Sequence, residues 1–139
     1  MSALFYKMDL HPEEDGLNIY THQFTSIHET PCFHFCVRTN ELSYVKCWLQ
    51  EGEALLQCAK RKGNKIFRID KKNSRIAFDT EQKAFENLQY RKQLQLRHMH
   101  REMEFCKAFL SKTEGKKFGD FTGPIPETQD LVLEYLRFD

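Results

Sequence analysis

Long apolar runs are missing from this chain. No stretch approaches the ~20 consecutive apolar residues that a bilayer-spanning helix needs, so a helical membrane span is excluded. The opening residues, MSALFYKMDLHPEEDG, also lack a basic segment followed by an apolar one and a small-residue cleavage site. The expectation is a soluble protein that stays in the cytosol where it was made, with no membrane partner. A disulfide framework is missing too. The five cysteines (Cys32, Cys36, Cys47, Cys58 and Cys106) are odd in number and contain no C-x-x-C pair, which predicts reduced thiols.

Signatures of catalysis are equally scarce. There is no nucleophile elbow, P-loop, dinucleotide fingerprint or H-E-x-x-H. The carboxylates are scattered, with no pair that asks for an acid/base role. The expectation is a protein that is not an enzyme and carries no cofactor. Cys32, His34 and Cys36 alternate along one strand, and thiolate and imidazole are good zinc ligands. Adjacent residues on one face of a strand, however, stand nearly ~7 Å apart, so one strand does not readily supply three converging ligands. Packing thiols and a surface histidine are expected there, with no metal. His98 and His100 would sit about 200° apart on a helix and cannot chelate one ion.

The chain does contain a full complement of core-forming residues. Its 139 residues are 40% hydrophobic and include 12 Phe, enough for one domain with a proper core. The net charge of +1 conceals a division. From Lys60 to Arg101 there are 13 Lys/Arg against 4 Asp/Glu, or +9, and the rest holds 8 against 16, or −8. A basic middle between acidic ends bears on partners more than the near-zero sum does.

Alternation of Leu4, Tyr6, Met8 and Leu10 with Phe5, Lys7 and Asp9 predicts a strand over 3–10. His11–Gly16 is turn chemistry, 17–27 a second strand, Thr30-Pro31 a break, and Phe33–Arg38 a third strand. Between Asn40 and Arg61, Leu42, Val45, Trp48 and Leu49 fit helical spacing. Residues 43–50 and 54–59 read equally as strands, and strands are preferred inside a meander. After a turn at Gly63-Asn64, 65–70 alternates again and a short piece, 75–78, leads into a helix.

That helix is predicted over about Asp79–Lys112. Asp79 or Thr80 caps it, and with Asp79 as cap, Gln82 would complete a capping box. Phe85, Leu88, Leu96, Met99, Met103, Cys106 and Leu110 fall on one stripe, interrupted by Lys92 with Arg91 and Gln95 alongside. Such charges either snorkel or join a polar network bridging helix to sheet. A rod of roughly 50 Å outreaches a 139-residue globule, so its distal half should bend, be covered by the tail or pair with a second copy. The tail carries Leu131, Val132, Tyr135 and Leu136 at helical spacing over 128–138.

The fold expected is α+β: an antiparallel β-meander of about four to six strands, one long amphipathic helix and a short C-terminal helix. The single α+β domain would span 1–112, and the tail 113–139 would pack back or form an interface. Candidate macromolecule-binding residues are Lys60, Arg61, Lys62, Lys65, Arg68, Lys71, Lys72 and Arg75 around Phe67, a pattern suited to phosphate contacts and base stacking. The alternative is a solubilising sheet edge. Arg91, Lys92, Gln95, Arg97 and Arg101 on the helix complete the set.

The run Arg75-Ile-Ala-Phe78, Thr80-Glu-Gln-Lys-Ala84 and Arg91-Lys92-x-x-Gln95 resembles uncharacterised small accessory proteins of phages and prophages. In those, an aromatic strand end precedes a T-x-E-x-A helix start and an R-K-x-x-Q segment, and Glu29-Thr30-Pro31 looks like their upstream strand pair. The resemblance covers roughly 28–110; the stretch 40–60 and the tail depart from it. It carries over no activity. It implies a non-catalytic mobile-element protein that binds and modulates a host protein or ribonucleoprotein complex, an anti-CRISPR-like inhibitor being one form. The alternatives are a nucleic-acid-binding protein using the 60–75 tract and, third, a small metal-dependent nuclease. A homodimer through the long helix is compatible with all three.

Overall fold

The structure, a computed structural model, describes residues 2–137. The fold is α+β, with four antiparallel strands in a curled sheet of order β1-β2-β3-β4. Strands β1 (Leu4–Glu13) and β2 (Gly16–Glu29) form a hairpin whose register pairs Glu13 with Gly16. The turn is therefore only Glu14-Asp15, and His11 to Glu13 belong to the strand rather than to a longer turn. Strand β3 (Phe33–Arg38) occupies the predicted residues, and β4 (Phe67–Asp70) pairs with it. The chain then reaches the free edge of β1, where Phe78 and Tyr6 exchange backbone hydrogen bonds of 2.7 and 2.8 Å. Residues 75–78 thus contribute one bridge, not a strand.

Between β3 and β4 lie two short helices, α1 (Leu42–Cys47) and α2 (Leu55–Arg61). The preferred strand reading of 43–50 and 54–59 was wrong. Each helix buries one narrow side: Val45 from α1 and Cys58 and Ala59 from α2 pack on Val37, flanked by Ile27, Leu42, Leu55 and Ile66. Period-2 alternation would instead have turned half of those residues to water. Helix α2 ends in a Schellman motif: Gly63 N–H donates to Lys60 C=O (3.1 Å) and Asn64 N–H to Ala59 C=O (3.0 Å). This needs a left-handed residue, and Gly63 supplies it with φ of 77°.

Both sheet faces are used. On one, Phe5, Phe24, Cys36 and Ile69 pack with Ala77. On the other, α1 and α2 cover the β3 side while Ala84 and Leu88 of helix α3 pack on Met8, beside Tyr6, Leu10, Phe78 and Phe85. Buried Thr25 is satisfied by Thr39 across a 2.8 Å hydroxyl–hydroxyl bond.

Helix α3 runs from Glu81 to Thr113. Thr80 is its cap, its Oγ1 accepting from Lys83 N–H at 3.1 Å. The capping box from Asp79 does not form. Asp79 pairs with the Lys83 ammonium at 2.9 Å, and Gln82 bonds Glu86. The chain divides into two compact units, 1–90 and 91–139, and α3 contributes to both. Within the second, helix α4 (Gln129–Arg137) follows a loop fastened by the Lys112–Glu127 ion pair. The side chain of Tyr135, and Phe138 altogether, fall outside what is described. Among the described residues no helix is long and apolar enough to cross a membrane.

Candidate macromolecule-binding surface

At the α1–α2 corner, Tyr44 and Trp48 stand four residues apart and so share one side of α1 and its cap. Their rings are 6.4 Å apart and tilted by 59°. The Lys62 ammonium lies 4.0 Å from the Trp48 ring centre and 6.0 Å from that of Tyr44, in cation–π range. Arg61 fixes the loop between the helices. Its Nε and Nη2 donate to the two Glu53 oxygens at 3.0 Å each, and Nη2 also donates to the Trp48 carbonyl at 2.8 Å. Planar guanidinium geometry makes this bidentate grip possible. The Arg61 hydrogen bonds hold the Glu53 carboxyl down at about 2, helped by Gln50 N–H at 3.2 Å. Trp48 remains 52% exposed on this fastened corner.

A second cluster lies on the sheet. Phe67 packs against Phe24 at 4.7 Å, with the Arg38 guanidinium 5.8 Å and the Lys65 ammonium 5.1 Å from its ring centre. Alternation puts Arg68 on the opposite face, 4.6 Å from the Phe33 ring centre. The basic tract is thus not a single stripe. Lys71 is ion-paired with Glu29, whose carboxyl is held low by that hydrogen bond and charge. Asp70 accepts from the Lys72 and Asn73 backbone N–H groups at 2.8 and 3.1 Å, which lowers its carboxyl. Lys60, Lys72 and Arg75 are exposed. Beside this loop is a cleft of about 590 Å³ floored by Phe5, His34 and Ile69 and edged by Lys71, Lys72 and Lys83.

The helical members of the candidate set fall elsewhere. Lys92 is exposed and its ammonium donates to Gln95 at 3.0 Å. The described partner of Lys92 thus lies on its own helix. Arg91 is half-buried. Arg97 and Arg101 line a cavity of about 340 Å³ within the second unit, with His100, Glu104, Phe105 and Leu131.

Cys36 is fully buried on the sheet, and burial pushes its thiol up to about 12. His34 shares that face, bonded to Ser26 Oγ at 2.9 Å and 5.0 Å from the Phe5 ring. Cys32 lies before β3 and is exposed. Among the described residues no group of three His, Cys, Asp or Glu converges as a metal ion requires.

Sequence reasoning missed Tyr44, Trp48 and Arg38. The i, i+4 spacing of Tyr44 and Trp48 was a usable signal once the segment is read as a helix. Arg38 reaches Phe67 only through the β3–β4 register, which nothing local encodes. Compared with protein-family models, curated proteins and solved structures, the chain has no match in any of the three.

Proposed function

We propose that the protein is a non-catalytic binding protein that docks on a macromolecular complex of its host and modulates it. Inhibition of a host defence complex, in the anti-CRISPR-like manner implied by the resemblance to phage accessory proteins, is the form we favour. It would act in the host cytosol on a protein or ribonucleoprotein target. The observation that supports this is the α1–α2 corner. An exposed Trp, held from behind by the Arg61–Glu53 grip and flanked by Tyr44 and Lys62, has the composition of an interface hot spot. Fixing its backbone before contact reduces the entropy lost on binding. Lys62 beside the Trp48 ring adds a positive charge suited to an acidic partner.

Affinity capture from a bacterial lysate tests the proposal. The wild-type chain should retain a stoichiometric partner, and Trp48→Ala should weaken retention on the order of thirtyfold. Recovery of no partner, or equal recovery by the variant, would count against it.

A second reading, direct nucleic-acid binding, has its own support in Phe67 flanked by Arg38 and Lys65. Anisotropy with single-stranded DNA and RNA at low salt separates the two. Binding no better than a neutral control removes the second reading. Salt-dependent binding lost in Phe67→Ala would put it first.

A further inference from the structure

Helix α3 leaves a stripe open beyond its packed start. Leu96, Met99, Met103 and Leu110 are 70%, 60%, 46% and 66% exposed, and Cys106 is exposed with them. Their spacing is 3, 4, 3, 4, which is the a/d pattern of a heptad over five layers, roughly 21 Å of helix. Among the described residues the tail does not take this stripe. Arg101, Glu104 and Phe105 line the cavity shared with Leu131 of α4, and Phe105 and Ala108 line the next one with Ile125 and Leu131. Those α3 residues lie away from the a/d seam, and only His100 and Phe109, at its e and g flanks, line the same cavities, which leaves the a and d side chains themselves open.

We infer that a second copy of this chain covers the seam, with the two α3 helices parallel and in register. Charge selects this arrangement. With Leu96, Met103 and Leu110 at a, Glu102 falls at g and Lys107 at the following e. In a parallel pair, g faces e of the partner five residues on, so Glu102 meets Lys107 twice across the two-fold axis. In an antiparallel pair g faces g and e faces e, so Glu102 and Lys107 never meet across the seam. The a and d side chains are straight-chain or γ-branched and leave no buried charge in the seam. Lys92, one position before it at d, marks where the seam stops. The inference stands on the second unit alone and does not depend on the proposed function.

Two-fold parallel symmetry has a chemical signature: the d-position Cys106 faces its own copy across the axis, within reach of one disulfide. The test uses the full chain with Cys32→Ser and Cys47→Ser, since Cys36 and Cys58 are buried. Sedimentation at micromolar concentration should give twice the 16.6 kDa of one chain. Diamide, taking two electrons and two protons from the paired thiols, should convert the dimer to a Cys106-linked species. Met103→Lys should be monomeric with unchanged helical circular dichroism, because the side chain is half exposed in the isolated chain. Glu102→Lys and Lys107→Glu should each weaken the dimer about fivefold, and combining them should restore it. A wild-type monomer, or a dimer that survives Met103→Lys, would overturn the seam. A dimer that fails to cross-link through Cys106, or no restoration in the charge swap, would overturn the parallel register.

Discussion

Leu88 and Leu96 are the same residue on the same helix, eight positions apart, and the fold treats them oppositely. Leu88 is 4% exposed against Met8 and Ala84, with Tyr6 and Leu10 beside it, whereas Leu96 is open to solvent. Truncating Leu88 to Ala removes three buried carbons, worth about 2.4 kcal/mol at ~0.8 kcal/mol per methylene. Partial collapse of the site leaves a cavity that adds to this, giving about 3 kcal/mol in all. Helix propensity changes little, since Leu and Ala are both strong formers. Leu96→Ala should stay within about 0.5 kcal/mol when measured at concentrations where the chain is monomeric. Urea denaturation followed by circular dichroism and by the single Trp measures both. For a unit of this size the Leu88 variant should also melt roughly 12–24 °C lower. Equal losses in the two variants, or a larger loss at Leu96, would refute the burial pattern assigned to α3.

Three further outcomes follow from the geometry. Thr80→Ala should destabilise by about 1 kcal/mol through loss of the α3 cap, and Thr80→Ser should restore most of it, by urea denaturation. Glu53 is lowered from 4.5 to about 2, so its contribution is fully present above 4.5 and lost as pH falls towards 2. Trp48 fluorescence should report loosening of the corner across that window, and Glu53→Gln should abolish the transition. At concentrations where the chain is monomeric, native labelling by a maleimide should modify Cys32, Cys47 and Cys106 and spare buried Cys36 and Cys58, with all five reacting after unfolding; burial of Cys36, whose thiol is pushed up to about 12, keeps it protonated and unreactive.

The sheet and the long helix were legible because their patterns are long. The alternation of Leu4 to Leu10 in β1 and a Gly- and Pro-free run in α3 average over local accidents. Phe33–Arg38 was bounded correctly because Pro31 ends the preceding segment. The α1 and α2 helices are six and seven residues long, under two turns each, too short to show a period. What decides their state is Val45, Cys58 and Ala59 closing on Val37, a tertiary fact. The candidate site suffered similarly. Read along the chain, Lys60 to Arg75 is one basic tract. In the fold, Arg61 is taken up by Glu53, Lys71 by Glu29, and Phe67 and Arg68 point to opposite faces. Glu29 lies 42 residues from its lysine, beyond any local reading. The resulting surface centres on Trp48 and Tyr44, which carry no charge and so do not stand out in the charge pattern of the chain.

On the proposed reading, the fastened Trp48 corner engages a protein target. The most direct measurement is capture from a nuclease-treated bacterial lysate, run side by side with the wild-type chain, Trp48→Ala and Phe67→Ala. A stoichiometric protein partner should be kept by the wild type and by Phe67→Ala and lost by Trp48→Ala. Retention by Trp48→Ala, or loss on nuclease treatment and in Phe67→Ala, would refute docking through this corner.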